Sequence, residues 1–368
     1  MPGPAKRGTI VEGRTVLTVP GGNREKGPGA RGGVFYNPAM RTNRDITVLF
    51  GRSVAEEGWS YLDALGGTGA KGIRLAAEAG NGLRVTVNDL DRNAFALIKR
   101  NIRANGLESV AATNLEFNAL LSQGGFDWID IDPFGPPVKF VDLAVRRTSR
   151  NGILSITATD TAPLCGTKPD TCLRRYKAMP LNDRSCHETG LRILVGNTVR
   201  RAAVFDYGLE PVLAYYHGHY FRAYFRKRKG AQAANDALAN IGYLAWDGKS
   251  GFSERETQPA KGKYAGPLWT GPLWQTKAVK KMLAACDGSE HRETVGLLES
   301  VLSELQAPPY HYHIDDLARR TGTRPLKTDD LVGLLKKAGH KASGVHYDRK
   351  GVKTDAGLWA LGQMFNNA

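Results

Sequence analysis

Cysteine is scarce in this chain, and long apolar runs are missing. The only four cysteines among 368 residues lack paired spacing, which argues against a disulfide framework and predicts a reducing compartment. No apolar run approaches the roughly 18 residues of a membrane helix, and residues 1–13 lack the apolar core of a signal peptide. We therefore expect a soluble, cytoplasmic protein with no membrane partner, and no obligatory protein partner is evident.

Acidic residues are outnumbered by basic ones. The chain has 51 Lys and Arg against 36 Asp and Glu, a formal net charge of +15. An excess of this size commonly accompanies a polyanionic partner, so nucleic acid is the first candidate. The length exceeds what one compact core usually holds, which predicts two domains.

Short apolar runs alternate with helical patterns from Trp59 onward. Strands are predicted at 60–65, 83–87, 128–131 and 153–158, and helices at 70–79, 92–104 and 138–146. This rhythm predicts an α/β fold with a Rossmann-like, mostly parallel sheet and crossover helices. A helix at 188–204 and strands at 210–216 and 219–225 would then close the sheet with an antiparallel pair.

The pattern turns polar and small after residue 229, so the domain boundary is predicted there. Residues 1–229 would form the larger domain, which contains the predicted sheet, and residues 230–368 a smaller α+β domain. Helices are predicted at 275–285, 290–306, 314–320 and 331–338; the last pair resembles a winged-helix unit, with Thr328 as N-cap and Gly339 as stop. The Gly- and Pro-rich stretch at 20–29 predicts a mobile loop.

A glycine-rich loop follows the 60–65 strand. Gly67, Gly69 and Gly72 match a dinucleotide fingerprint, which lets a backbone turn closely around either a pyrophosphate or S-adenosylmethionine. Asp63, at the strand end, would repel a pyrophosphate but can bind the cationic amino group of the methionine part. The loop therefore favours S-adenosylmethionine over NAD.

Two aspartates follow the next strand. Asp89 comes about twenty residues after the loop, where an acidic side chain accepts hydrogen bonds from both ribose hydroxyls. Asp91 is an alternative, although its place before a helical pattern is also typical of an N-cap. Strand geometry favours Asp89 as the ribose ligand.

The stretch Asp132-Pro133-Phe134-Gly135 follows the 128–131 strand. The Asp132 carboxylate and the Pro133 carbonyl can accept the hydrogens of an exocyclic amine and orient its lone pair toward the methyl donor, while Phe134 stacks on the base. Taken alone, the tetrapeptide is better explained as a turn that ends a strand. Together with Asp63, the glycine loop and Asp89, it predicts methyl transfer to an amino group.

These residues resemble the signature of the tRNA guanine-26 N2-dimethyltransferase family. Matching segments are spread over nearly the whole chain: 34–38 with 43–45, 160–166, 186–188 with 190–194, 265–269 and 353–356. The resemblance implies two successive methylations of guanine N2 in tRNA, with S-adenosylmethionine as donor.

The resemblance also assigns roles to further residues. It implies that Arg44 contacts the cofactor, that Phe35 lies beside the base pocket, and that Asn118-Ala119, where the family usually has Asp-Ala, lies on the adenine side. Many relatives carry a four-cysteine zinc site, but residues 242–262 contain no cysteine here. No structural zinc is expected, and no other metal.

Basic residues end the 219–225 strand pattern. Arg226, Lys227, Arg228 and Lys229 are predicted RNA contacts or, alternatively, the solvated end of an edge strand, and the aromatic residues before them are predicted to be mostly core. Basic residues of the tail favour contact with the tRNA backbone; they are Arg319, Arg320, Lys336, Lys337, Arg349 and Lys350.

Other interpretations remain open at this stage. Methylation of adenine N6 or of a protein glutamine uses a related motif, usually Asn-Pro-Pro-Tyr, and a non-catalytic tRNA-binding protein or a nicotinamide dehydrogenase is a further alternative. His217-x-His219 and His311-x-His313 are not expected to bind metal. The side chains of Cys186 and His187, adjacent in a predicted helix, are expected to point apart.

Overall fold

The computed structural model describes residues 7–20, 34–247, 251–304 and 310–366. The loop predicted at 20–29 lies outside the described residues except for Pro20, and the last residues of the helix predicted at 290–306 also lie outside them.

The first half of the chain alternates strands and helices. Its elements are β1 (Arg7–Glu12), β2 (Thr15–Pro20), α1 (Arg41–Ser53), β3 (Ser60–Asp63), α2 (Ala70–Glu78), β4 (Arg84–Asn88), α3 (Arg92–Ala104), β5 (Ala111–Thr113), α4 (Phe117–Ser122), β6 (Phe126–Ile131), α5 (Val138–Arg147) and β7 (Thr148–Ala158). The seven strands and helices predicted between residues 60 and 158 are all present, with ends shifted by a few residues.

The second half is more mixed. Its elements are α6 (Thr161–Leu164), α7 (Pro169–Tyr176), α8 (Cys186–Ala203), β8 (Tyr207–His217), β9 (Tyr220–Lys229), α9 (Ala231–Leu238), β10 (Ile241–Asp247), β11 (Gly251–Arg255), β12 (Lys263–Trp269), α10 (Thr276–Ala284), α11 (Arg292–Ser303), β13 (Tyr312–His313), α12 (Ile314–Thr321), α13 (Thr328–Lys337), β14 (Ala342–Gly344), β15 (Gly351–Thr354) and α14 (Leu358–Asn366).

The chain forms two compact units. The first comprises Met1–Pro133, Lys139–Ile156 and Lys277–Gly296, and the second comprises Phe134–Val138, Thr157–Thr276 and Leu297–Ala368. The boundary predicted at residue 229 falls inside the second unit. A division into a catalytic part, 1–229, and a tRNA-binding part, 230–368, therefore stays a prediction about function.

A parallel sheet organises the first unit. Its strands lie in the order β5-β4-β3-β6-β7, and every pair is parallel, which confirms the predicted α/β fold. The chain moves outward from β3 in one direction and then returns to β6 on its other side. Ligands of such sheets bind at this switch point, beyond the carboxyl ends of the strands.

Both faces of the sheet are buried, as its apolar sequence predicts. Tyr61, Leu62, Trp128 and Ile129 of β3 and β6 have no exposed surface. Helix α2 packs close to the sheet at Gly72, where an added Cβ would lie 2.6 Å from a methyl carbon of Val87. This close approach fixes the start of α2 beside the ends of β3 and β4.

The hairpin of β1 and β2 is joined to the rest of the first unit by Asn101 of α3. The Asn101 side chain is fully buried; its Oδ1 accepts the Thr18 N–H at 2.8 Å. Its Nδ2 donates to the Thr18 carbonyl at 3.0 Å and to the Thr68 carbonyl at 2.9 Å. One amide therefore connects β2 to the glycine loop between β3 and α2.

The second unit contains an antiparallel pair, β8 with β9, as predicted. Tyr220, Phe221, Tyr224 and Phe225 of β9 are completely buried, so these aromatic residues belong to the core. A three-stranded sheet, β11-β10-β12, follows in the chain.

The tail has the winged-helix-like form that was predicted. The small sheet β13-β15-β14 and helices α12, α13 and α14 enclose an apolar cluster that includes Leu317, Leu331 and Val352. Gly339, with φ +86°, follows the end of α13 and confirms the predicted stop. The predicted N-cap was wrong: Thr328 is the first helical residue, Lys327 is the cap, and the Thr328 hydroxyl donates to the Arg349 carbonyl at 2.6 Å.

A buried ion network lies in the second unit around Lys353 of β15. The Lys353 ammonium contacts Glu188 of α8 at 2.7 Å and Glu304 at 2.8 Å, and none of the three side chains is more than 1% exposed. Glu188 also accepts Arg192 at 3.0 Å, while His346 Nδ1 lies 2.7 Å from Glu304. The cationic partners compensate the two carboxylates, which would otherwise be charged and unpaired inside the protein.

We expect Lys353→Met to lower the free energy of unfolding at pH 7 by about 3–5 kcal/mol, because it leaves Glu188 and Glu304 buried without their shared cation. The control Lys350→Met removes an exposed pair with Asp315 and should have little effect. Urea unfolding measures both variants. Equal losses for the two lysines would contradict the assignment.

The same network predicts a pH dependence. Burial opposes ionisation, but Lys353 and His346 lower the pKa of Glu304 from 4.5 to about 2 and Lys353 lowers that of Glu188 as well. A carboxyl group whose pKa is lower in the folded state than in the unfolded state stabilises the fold at pH values above its unfolded-state pKa. The contribution of Glu188 and Glu304 to the free energy of unfolding should therefore be complete above about pH 5 and lost as the pH falls toward 2. The stability difference between the native chain and Lys353→Met should therefore narrow in acid.

Candidate active site

Asp63 ends β3 at the carboxyl edge of the parallel sheet. Its side chain is 2% exposed and accepts the Gly72 N–H at 3.1 Å, from the first turn of α2. Burial raises its pKa from 3.8 to about 7; Lys71 opposes the shift, and the carboxylates of Asp130 and Asp132 add to it. The site therefore holds a carboxyl group whose charge a nearby cation would stabilise.

The glycine loop turns as the sequence predicts. Gly67 and Gly69 have φ values of +55° and +78°, a region that favours glycine, and Gly69 is the N-cap of α2. An added Cβ at Gly67 would lie 3.1 Å from the Phe35 carbonyl oxygen. The backbone of the predicted base-pocket residue therefore lies against the loop.

The structure separates the roles of the two aspartates after β4. Asp89 accepts the Gly67 N–H through Oδ2 at 2.8 Å, so its carboxylate is held at the glycine loop. Asp91 accepts the N–H groups of Asn93 and Ala94 and is the N-cap of α3. The cap function predicted for Asp91 is confirmed, and Asp89 is the aspartate that faces the loop.

Lys71 is a residue of the site that sequence reasoning missed. It lies in the first turn of α2, is 7% exposed, and forms an ion pair with Asp132 while its Nζ lies 3.4 Å from Asp130. The Tyr61 hydroxyl donates to Asp130 at 3.1 Å. A cation at a helix N-terminus is unfavourable to the helix dipole, so this lysine in the sequence was itself a signal of a nearby anion.

The stretch Asp132-Pro133-Phe134-Gly135 begins at the end of β6. Pro133 is buried, whereas the Phe134 side chain is 68% exposed, unusually so for an aromatic residue. Gly135, with φ +78°, donates its N–H to the Thr159 hydroxyl at 2.7 Å and accepts the Thr159 N–H at 3.1 Å. The turn after Phe134 is therefore fixed, and an aromatic ring is presented at the surface.

Arg44 is buried in α1, where it forms a two-point ion pair with Glu12. The Nε–Oε1 and Nη2–Oε2 distances are 2.5 and 2.6 Å, and the guanidinium lies 4.9 Å from the centre of the Tyr36 ring. It also donates to the Asn37 carbonyl at 3.2 Å. Arg44 therefore holds the segment next to Phe35; its predicted contact with a cofactor stays a prediction.

Asn118 and Ala119 are exposed at the start of α4. Their backbone N–H groups donate to Glu116 Oε2 at 2.7 and 3.1 Å, and the Asn118 amide donates to Glu116 Oε1 at 3.0 Å. Glu116 is thus the N-cap of this helix, and the adenine-side role of both residues remains a prediction.

The basic run at the end of β9 does not lie on one face. Lys227 is 3% exposed, and its ammonium lies 3.8 Å from the centre of the Tyr207 ring; burial lowers its pKa to about 8. Arg228 and Lys229 are exposed and Arg226 is half-buried. Alternate residues of a strand point to opposite faces, so Lys227 does not share a face with Arg226 and Arg228. Because Lys227 is buried, a phosphate contact is not expected there.

The histidine pairs have other contacts. His311 Nδ1 lies 3.0 Å from Glu188, and His313 Nδ1 accepts the Asp315 N–H at 3.2 Å as the N-cap of α12. His217 and His219 both lie against the ring of Tyr220.

In the part of the chain that the structure describes, no helix is long and apolar enough to cross a membrane.

Comparison with known proteins gives a consistent result. The profile of the family described as N2,N2-dimethylguanosine tRNA methyltransferase matches residues 13–366. Curated relatives named tRNA (guanine(26)-N(2))-dimethyltransferase include that of Thermococcus kodakarensis, 39% identical over 91% of this chain and 93% of that protein, and that of Pyrococcus furiosus, 38% identical over 88% and 90%. The solved Trm1 of Pyrococcus horikoshii with S-adenosyl-L-methionine has a TM-score of 0.88 at 34% identity, over 97% of this chain and 99% of that one.

We expect Lys71→Met to lower the free energy of unfolding by roughly 2–4 kcal/mol at pH 8, because Asp130 and Asp132 lose a buried cation. Lys71 also lowers the pKa of the buried Asp63, so its removal raises that pKa further, and the loss should shrink as the pH falls and Asp63 takes up a proton. Urea unfolding at about pH 5 and pH 8 measures this difference.

Lys71→Arg keeps the charge and serves as the control for that measurement. It should recover most of the stability. A loss in Lys71→Met that is the same at both pH values would mean that the methylenes of Lys71, rather than its charge, stabilise the fold.

Proposed function

Because this chain belongs to the N2,N2-dimethylguanosine tRNA methyltransferase family, we propose that it transfers methyl groups from S-adenosylmethionine to the exocyclic N2 of guanine 26 in tRNA, twice per guanine. The observation that carries the proposal is the meeting of Asp63, Asp89 and Asp132 with the glycine loop at the carboxyl edge of one parallel sheet. In this arrangement, the proposed sites for a cationic donor and for an amine acceptor would lie at the ends of neighbouring strands.

The charge of the site fits S-adenosylmethionine. Asp63, Asp130 and Asp132 place three carboxyl groups around the Lys71 ammonium, and a bound cation would add to the positive charge at this edge. Asp63 would bind the methionine amino group, and Asp89, already held at the loop by Gly67, would accept the ribose hydroxyls. A pyrophosphate would be repelled by the same carboxylates, which disfavours a dinucleotide.

The adenine and the loop complete this binding proposal. Asn118 and Ala119, exposed at the start of α4, would contact the adenine edge, and Gly67 and Gly69 allow the backbone to approach the ligand. S-adenosylmethionine, when bound, supplies the electrophilic methyl group. Arg44 would act on this site chiefly by holding the segment that carries Phe35, since Glu12 occupies its guanidinium.

Asp132 and Pro133 would position the amine. The carboxylate and the carbonyl accept the two N2 hydrogens, so that the lone pair points at the methyl group, and Lys71 fixes the direction of the carboxylate. After transfer the nitrogen carries an extra proton, which the nearby Asp132 carboxylate can accept. The same contacts serve the second transfer, in which one hydrogen of the amine remains to be held.

The guanine must leave its stack before it can react, at a cost of a few kcal/mol. Phe134, whose ring is exposed, and Phe35 would stack on the extruded base and offset that cost, since such contacts are worth about 1–3 kcal/mol each. Arg226, Arg228 and Lys229 are the members of the basic run that would contact phosphate. Residues 230–368 would add affinity for tRNA through exposed basic residues of the tail: Arg319, Arg320, Lys336, Lys337, Arg349 and Lys350.

Nucleoside mass spectrometry of an unmodified tRNA transcript tests the reaction. With labelled S-adenosylmethionine, the native chain should produce N2,N2-dimethylguanosine at position 26, and Asp132→Ala should reduce the rate at least about 100-fold, because the amine loses its acceptor. Asp91→Asn, which keeps a good N-cap, is the control and should stay active. Labelled protein, or N6-methyladenine instead of dimethylguanosine, would contradict the proposal.

Binding of the cofactor should depend on pH through Asp63. Since burial raises its pKa to about 7 and a bound ammonium favours the ionised form, affinity for S-adenosylmethionine should be highest above pH 7 and fall below it, by up to about tenfold per pH unit. Calorimetric titrations at several pH values measure this slope. In Asp63→Asn the affinity should be lower and the slope lost, whereas a native profile that is flat between about pH 5.5 and 8 would remove Asp63 from the binding site.

A further inference from the structure

Two cysteines and a histidine from separate parts of the sequence meet in the second unit. Cys165 directly follows α6, and Cys186 and His187 are the first two residues of α8. One sulfur or nitrogen atom from each of the three side chains lies within 4.8 Å of the other two. The expectation that Cys186 and His187 point apart was therefore wrong, because their donor atoms approach both each other and the Cys165 thiol.

The backbone keeps this cluster together. Gly190, one turn into α8, allows the helix to approach the α6 turn so closely that an added Cβ would lie 3.0 Å from the Leu164 carbonyl oxygen. Leu164 immediately precedes Cys165, so the close approach brings the Cys165 thiol to the start of α8. The spacing of the cluster is thus set by packing, not by flexible side chains.

The histidine ring is also held in place. His187 stacks on Tyr216 of β8, with ring centres 4.0 Å apart and planes 11° apart. The Tyr216 hydroxyl donates to the Gly218 carbonyl at 2.5 Å, and its backbone N–H donates to His346 Nε2 at 3.4 Å. The stack fixes the plane of the His187 ring, so the imidazole needs little reorientation to bind an ion.

The exposure of the cluster distinguishes it from a group of core thiols. Cys172 is completely buried, as expected for a cysteine that acts only as a small apolar residue. Cys165, Cys186 and His187 are each half-buried, so a solute can reach them. Among the His, Cys, Asp and Glu side chains of the described ranges, Cys165, Cys186 and His187 form a group of three whose donor atoms come close enough to share one ion.

We propose that Cys165, Cys186 and His187 form a binding site for a thiophilic divalent metal ion, with Zn²⁺ as the expected occupant and one coordination position left to water. Two sulfurs and an imidazole nitrogen are the donors that Zn²⁺ prefers, and tetrahedral zinc with three protein ligands keeps an open fourth position. Bond lengths near 2.3 Å to sulfur and 2.0 Å to nitrogen require donor atoms roughly 3.5–4 Å apart, which is a small contraction of the cluster. Binding converts two thiols to thiolates and releases their two protons to solvent.

This proposal is independent of the methyl-transfer reaction. It also concerns a different place from residues 242–262, which contain no cysteine. Its test therefore reads metal binding directly, in the full chain, and its failure would leave the proposed enzyme activity untouched.

Cobalt substitution tests the site in the reduced, chelator-treated full chain. We expect one equivalent of Co²⁺ to give the visible absorption of a tetrahedral site and the near-ultraviolet charge-transfer band of thiolate ligands, and Zn²⁺ to displace it. Cys165→Ala, Cys186→Ala and His187→Ala should each weaken binding more than about tenfold. Cys286→Ser, a half-buried cysteine outside the cluster, is the matched control and should bind as the native chain does.

The native chain alone decides the proposal if a variant fails to fold. Absence of a stoichiometric thiolate–cobalt spectrum in the folded, reduced native chain would overturn it. So would a spectrum that persists in Cys165→Ala and Cys186→Ala, since the ion would then be bound elsewhere. Retention of the native unfolding temperature by the variants, together with loss of the spectrum, would support the site.

Discussion

Buried negative charge at one edge of a parallel sheet is the constraint on which this structure depends. Strands β3 and β6 are in register so that Asp63 lies opposite Asp130, and Asp132 follows at the end of β6. Carboxylates so close together and so little exposed are costly unless cations accompany them. Lys71 supplies one such cation and lowers the pKa of Asp63, but burial outweighs this effect and raises that pKa to about 7.

The elements around this edge of the sheet bring hydrogen-bond donors and a cation to its carboxylates. Gly72 lets α2 lie against Val87, which brings both the Gly72 N–H to Asp63 and the Lys71 ammonium to Asp132. Gly67 turns the loop so that its N–H meets Asp89. A cationic donor molecule bound here would complete the neutralisation that the protein leaves unfinished, which connects the electrostatics of the fold to the proposed reaction.

Much of the fold was predictable from the sequence because its strands and helices carry regular patterns. Helix α3 has the predicted ends, and the predicted elements of the β3–β7 region and of the winged-helix-like tail occur in the expected order, whereas β5 and α4 were not predicted. Helix α1 was missed because it buries polar residues, among them Asn43 and Asp45, that hide any apolar stripe. Helix α9 was interpreted as a boundary, although its alanines are strong helix formers.

The site was predictable where it follows strand ends and not where it depends on tertiary contacts. Asp63, the glycine loop and Asp89 lie where their strands place them. The pairing of Lys71 with Asp132, the burial of Lys227 on Tyr207 and the meeting of Cys165 with Cys186 each join residues far apart in the sequence or on unexpected faces. Such contacts arise only when the packed elements bring side chains together, and no local pattern reports them.

The side chain of Asn101 makes the N-terminal hairpin a mechanical part of the glycine loop. The Asn101 side-chain amide is hydrogen-bonded both to Thr18 on β2 and to Thr68 in the loop. A displacement of the hairpin is therefore transmitted to the loop without passing through the sheet. Amide hydrogens of the hairpin and of the loop should then exchange with solvent as one cooperative opening unit rather than as two. The glycine loop is therefore restrained by β2, a strand that precedes it by some fifty residues.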